Sequence, residues 1–258
     1  MRTDTLTKKF NEIGAEVEIL PARPRQGTPL TVDVGTVDGK ESFILRGDVA
    51  SAQVLQTLAK ERHLLLMVKN PDFDEHYKII CGHDERHWFA ANVPGDVRHV
   101  KDALQSLRPR QIRGNEKDVF SHKTDEWLRQ GEWYFVPAPD FRPEKNSIIL
   151  RSEPIQRPGS TAHIVEELCR YGGETVYVCD EHRGGLTEEE YKALSDKERG
   201  DASRWRVMRR NANVYAKGTV RHPDHNTITL SGWHRVLLNE ERTTVGNRRA
   251  AGPVVFLD

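Results

Sequence analysis

Residues 77–93, YKIICGHDERHWFAANV, set the tightest limit on what this chain can fold into. Two short apolar runs, rich in aromatic and β-branched residues, flank a polar run holding Gly82 and Asp84. That is the pattern of a β-hairpin, with alternating strand faces and a polar turn. The turn gathers His83, Asp84, Glu85 and His87, and Cys81 stands where the first strand ends. Imidazole, carboxylate and thiol groups at one hairpin tip make this the first place to look for chemistry.

The same local logic reads the rest of the chain. Asp38-Gly39 separates two apolar runs, 30–37 and 41–45, and is the strongest two-residue hairpin signal available. Residues 63–68, HLLLMV, are continuously apolar and too short for most helices, which predicts a strand buried on both faces. Further strands are expected at 15–20, 132–136, 147–150, 175–179, 205–209, 213–220, 227–230, 233–238 and 254–257. Helical spacing or capping predicts helices at 5–13, ended by Gly14, at 48–59 behind Asp48, and at 97–107, 119–129 and 161–171. An acidic helix is expected at 186–198, where Thr187 and Glu190 match a capping box. The fold class that follows is α+β, with mixed or antiparallel sheets and flanking helices in two subdomains. The polar stretch 108–118 is the expected linker, giving units of 1–110 and 111–258.

Charge and cysteine usage bound the function classes. With 39 basic and 39 acidic side chains, nothing draws the whole molecule toward nucleic acid or an anionic membrane, so such binding needs a local patch. No apolar run approaches the ~20 residues of a membrane helix. The first residues, MRTDTLTKKFNEIG, lack the apolar core of a secretion signal. Three widely separated cysteines fit a reducing compartment rather than a disulfide framework, so the expected location is the cytoplasm. Phosphate-loop, dinucleotide-binding and nucleophile-elbow motifs are absent.

Three constellations carry chemistry. His222, Asp224 and His225 lie in a second polar turn, RHPDHN, and His234 follows on the next strand. Imidazoles with a carboxylate suit zinc or manganese with an open position for water, and Asp84, Glu85 or His87 would then handle the proton. Alternatively, Cys81 with His83 and Cys179 with His182 supply four ligands for a structural zinc. The third is a basic, aromatic stretch in which Arg204, Arg206, Arg209, Arg210, Lys217 and Arg221 surround Trp205 and Tyr215, a pattern for tracking a phosphate backbone. Two function classes therefore stand side by side. One is a metal-dependent hydrolase of a phosphorylated or nucleic-acid substrate. The other is a non-enzymatic module that binds nucleic acid or protein, with or without structural zinc. The hydrolase requires the tips 82–87 and 222–225 to converge.

Overall fold

The computed structural model describes residues 3–21, 30–70, 75–114, 119–157 and 160–241. The strand expected at 254–257 lies outside them. Sheets dominate and helices are few and short. By packing, the chain divides into two compact units. The first holds the chain through Tyr134 together with Pro223–Asn226 and the segment from Leu237, and the second holds Phe135–His222 and Thr227–Val236. Residues 108–114 belong to the first.

In the first unit, helix α1 (Thr3–Glu12) buries Leu6 and Phe10 and ends at Gly14, whose φ of 78° only glycine adopts without strain. Strands β1 (Glu16–Leu20), β2 (Leu30–Val37) and β3 (Lys40–Gly47) form a sheet in the order β1-β3-β2, with β1 parallel to β3. Asp38 and Gly39 close the β2–β3 hairpin at φ 49° and 79°, the left-handed pair that the Asp-Gly dipeptide predicts.

Strands β4 (Ala52–Leu58), β5 (His63–Asn70), β6 (Glu75–Asp84) and β7 (His87–Val93) make an antiparallel sheet in sequence order. β5 is internal, and its side chains serve two cores. Leu64, Leu66 and Val68 pack with Phe10, Phe43 and Trp88 on one face. Leu65 packs with helix α2 (Val100–Leu107) on the other, through Val100, Leu104 and Leu107. The strand buried on both faces is thus observed. Asp48 caps only a short 3-10 turn, Val49–Ser51, by accepting from Ala50 N, and the helix expected at 48–59 is instead β4. Residues 119–129 are not helical either. Thr124 Oγ1 accepts from the backbone N–H of Glu126 and Trp127, which closes a tight turn before β8 (Leu128–Gln130).

Strands β9 (Trp133–Pro137), β10 (Ile149–Ile155), β11 (His163–Tyr171), β15 (Asn213–Arg221) and β16 (Ile228–Leu238) join β8 in a sheet of order β10-β11-β15-β16-β9-β8. β11 replaces the helix expected at 161–171, and β16 merges the two strands expected at 227–230 and 233–238. A small sheet of order β13-β12-β14 is built from β12 (Glu174–Val178), β13 (Leu186–Thr187) and β14 (Arg206–Arg210). The acidic helix expected at 186–198 is split. α3 (Glu188–Ala193) starts at the Thr187/Glu190 capping box, and α4 (Asp196–Arg199) starts at a second box, Ser195/Glu198. Two adjacent start signals restart the helix rather than extend it.

Candidate active site

The β6–β7 hairpin turns in two residues, Glu85 and Arg86, with Glu85 at φ 48°. Asp84 therefore ends β6 at the mouth of a cleft of about 180 Å³ in the first unit, lined also by Glu61, His63, His83, His122 and Arg129. The Asp84 side chain is 13% exposed. Arg129, on β8, donates from Nη2 to Asp84 Oδ1 at 2.7 Å, and His122 bonds the same oxygen through Nε2. Arg129 Nη2 also stands 2.9 Å from His122 Nε2, so the three atoms form a closed triangle.

Electrostatics fixes the protonation pattern of that triangle. Burial alone would raise the Asp84 carboxyl, but the Arg129 guanidinium, the His122 hydrogen bond and the His122 and His225 imidazoles outweigh it and bring the group down to about 2. Asp84 is accordingly an anion with no proton to give. The hydrogen in the contact belongs to His122 Nε2, because an ionised carboxylate can only accept. A carboxylate that fixes an imidazole tautomer is the arrangement a general base needs.

Two more imidazoles line the cleft in neutral form. His63 is buried against the rings of Phe89 and Phe120, and its Nδ1 donates to the Glu61 carbonyl at 2.6 Å. Burial lowers its pKa, with the charge of Arg129 adding to the effect. His83 lies edge-on to Trp88 at 4.8 Å, and its pKa is lowered by burial and by Arg62. Gly82 makes room for His63, since a Cβ there would meet the imidazole Cδ2 at 2.4 Å.

The two polar tips meet within this unit. Glu85 accepts from Asn226 N at 2.8 Å and stands 3.6 Å from His225 Nδ1, while Arg86 donates to Asn226 Oδ1 at 2.8 Å. His87 is a tether rather than part of the cleft. Its Nδ1 lies 3.0 Å from Glu41 Oε1, whose other oxygen accepts from Trp88 N at 2.8 Å.

The other residues singled out from sequence fall as follows. Cys81 is wholly buried in the apolar core, which drives its thiol far above the ordinary range. In the second unit Cys179 donates to Glu181 Oε2 at 3.2 Å, and His182 stacks on Trp205. His222, just past β15, stacks on His163 with centroids 4.2 Å apart and planes 26° apart. The β11–β15 register explains this, because Ile164 pairs with Arg221 and so brings the preceding and following residues level. His234 is buried on β16 opposite Ala216, with Nδ1 donating to the Gly232 carbonyl at 2.8 Å. Within the basic set, Arg204 pairs with Glu181, Arg210 with Glu174 and Lys217 with Glu167, at 2.9, 2.6 and 3.1 Å. Arg209 donates to the Gly172 carbonyl, and Arg206 and Arg221 are exposed.

Sequence reading missed His63, His122 and Arg129. No local pattern marks His122 or Arg129, whose shared partner lies 38 and 45 residues earlier. Comparison with known protein families, curated proteins and solved structures found no match. No helix among the described residues is long and apolar enough to cross a membrane.

Proposed function

We propose that this chain is a cytoplasmic hydrolase of phosphorylated or nucleic-acid substrates, working through the Asp84–His122 pair. The observation that carries the reading is the convergence of His122 Nε2 and Arg129 Nη2 on one oxygen of an ionised Asp84 at the wall of a small cleft that Phe89, Leu104, Val119 and Phe120 also line. Asp84 holds the imidazole in one tautomer, and His122 Nδ1 takes a proton from the attacking water. Arg129 cancels the Asp84 charge, so the cleft admits an anionic group without facing a bare carboxylate. His83 supplies a neutral imidazole that can donate to its oxygens, whereas His63, whose Nδ1 proton is given to the Glu61 carbonyl, presents only an acceptor. A cleft of about 180 Å³ limits what enters to a phosphoryl-sized group, with the remainder of the substrate outside.

The test is release of p-nitrophenolate from mono- and bis-p-nitrophenyl phosphate and cleavage of a labelled single-stranded oligonucleotide. His122→Gln should reduce turnover on the order of a hundredfold or more, as expected for loss of a general base. Wild-type protein inert toward all three, or His122→Gln equal to wild type, would sink the reading.

A second reading is favoured by the stacked pair His163 and His222, each offering a ring nitrogen within 4.8 Å of the other's. In it these two imidazoles hold zinc or manganese and activate a bound water. Elemental analysis of untagged protein decides it. Stoichiometric metal that disappears in both His163→Ala and His222→Ala supports this reading, and metal-free wild-type protein that still turns over substrate eliminates it.

A further inference from the structure

On the second unit, β15, β16 and the residues around Pro139 line a groove of about 500 Å³ that includes Arg142, Lys217, Trp233 and His234. Its aromatic lining residue, Trp233, is backed by other rings. Phe141 stacks flat on Tyr215 at 3.6 Å and 3°, and stands edge-on to Trp233 at 5.6 Å and 84°. The half-buried indole is therefore held in place before anything binds. Lys217 Nζ lies 5.8 Å from the indole centroid and 3.1 Å from Glu167, and its charge also acts on Glu166. Arg142 Nη1 donates to the carbonyls of Pro139 and Phe141 at 2.5 and 2.8 Å. Those bonds aim the exposed guanidinium and leave Nε and Nη2 without partners among the described residues. Because His234 Nδ1 donates to Gly232, its Nε2 carries the lone pair and is a hydrogen-bond acceptor in the groove wall.

We propose that this groove binds a phosphate-bearing nucleobase. The base stacks on Trp233, His234 Nε2 accepts from an amino or hydroxyl group of the base or sugar, and Arg142 with Lys217 takes the phosphate. Every base offers a π-face, so an indole flanked by cations binds nucleotides with little sequence preference. The two carboxylates near Lys217 are both engaged, Glu167 with Lys217 itself and Glu166 with Thr219, so neither is left to recruit a cationic ligand. The inference does not rest on the hydrolase reading.

The test is fluorescence anisotropy with a short labelled oligothymidylate, competed by adenosine monophosphate. Trp233→Leu should weaken binding about tenfold or more, as loss of one stacking platform does. Lys217→Gln and Arg142→Gln, both surface changes that leave the fold intact, should each weaken binding and reduce the salt dependence by about one ion. Arg206→Gln should change neither, and His122→Gln should bind as wild type does, which separates this site from the hydrolase chemistry. Displacement by adenosine monophosphate identifies a mononucleotide as the occupant, and its failure to displace a Trp233-dependent oligonucleotide identifies a single strand. Absence of binding by wild type to either probe, or binding indifferent to Trp233, Lys217 and Arg142, overturns the proposal.

Discussion

Arg129 and Asp84 form a buried ion pair at 2.7 Å, with side chains only 18% and 13% exposed. A guanidinium removed from water is tolerable only while its carboxylate is present. Asp84→Ala should therefore destabilise the first unit by about 3–5 kcal/mol, because it leaves Arg129 as an unpaired charge. Asp84→Ala with Arg129→Met should recover much of that loss, since an apolar side chain of similar length suits the site once the carboxylate is gone. Urea unfolding of the two single variants and the double variant measures this. A loss in the double variant equal to the sum of the two single losses would show that the pair is not coupled.

Acid should weaken the protein in two stages. His63 has a folded pKa lowered by burial, so its contribution is complete above about pH 6.5 and erodes as pH falls below that toward the lowered value. Asp84 is also lowered, to about 2, and its contribution, on the order of 2 kcal/mol, is complete above about pH 4 and lost as pH falls through its folded value. Urea midpoints measured from pH 7.5 downward should fall first near pH 6. His63→Gln should reduce that first decline, the remainder coming from His83, whose folded pKa is also lowered, and should leave the second. A wild-type curve flat down to pH 5 would contradict the burial of a neutral His63.

Glu41 ties two sheets of the first unit together, reaching from β3 to accept from His87 Nδ1 and from Trp88 N. Glu41→Ala leaves the Trp88 N–H without its acceptor and should cost about 1–3 kcal/mol. Glu41→Gln keeps one acceptor oxygen and should cost less. Hydrogen exchange at the Trp88 amide is the direct readout, faster in the alanine variant than in the glutamine one.

What could be read from sequence was what is decided locally. The Asp38-Gly39 turn, the doubly buried β5 and the Thr187/Glu190 capping box each depend on a few adjacent residues, and each is observed. The two strands expected as helices, β4 and β11, share a physical cause. Each passes a bulge, formed by the extra residue Leu55 of β4 in the first and by an extra residue of β15 opposite Glu166 in the second, where the two-residue alternation is interrupted. In β11 the buried positions His163, Val165, Leu168 and Cys169 are thereby spaced more like a helix face than a strand face. The candidate site was half legible. The tip bearing Asp84 and Glu85 stood out by composition, whereas His122 and Arg129 reach Asp84 only through chain folding, and His163 meets His222 only through the β11–β15 register.

That same register makes Gly218 a point of high sensitivity. β15 shifts register between Ala216 and Gly218, and Gly218 takes φ 82°, a conformation that side chains with a Cβ rarely adopt. Across the pair, Glu166 of β11 is the single residue opposite Gly218 and Thr219 of β15, and its Oε2 accepts from Thr219 N at 2.7 Å and Thr219 Oγ1 at 2.9 Å. A Cβ on Gly218 would meet that oxygen at 2.5 Å. Gly218→Ala should thus destabilise the second unit by about 1–3 kcal/mol through backbone strain, with the displaced carboxylate adding to it. Glu166→Ala separates the two effects. If strain at φ dominates, Gly218→Ala costs the same in the Glu166→Ala background; if the clash dominates, the cost nearly disappears there. Because His163 and His222 are aligned by the strands that these bulges hold in register, the stacking of their rings, read from the imidazole NMR shifts, should change in Gly218→Ala. Unchanged shifts in a destabilised variant would mean that the register at the His163 end is set by the Ile164–Arg221 pairing alone.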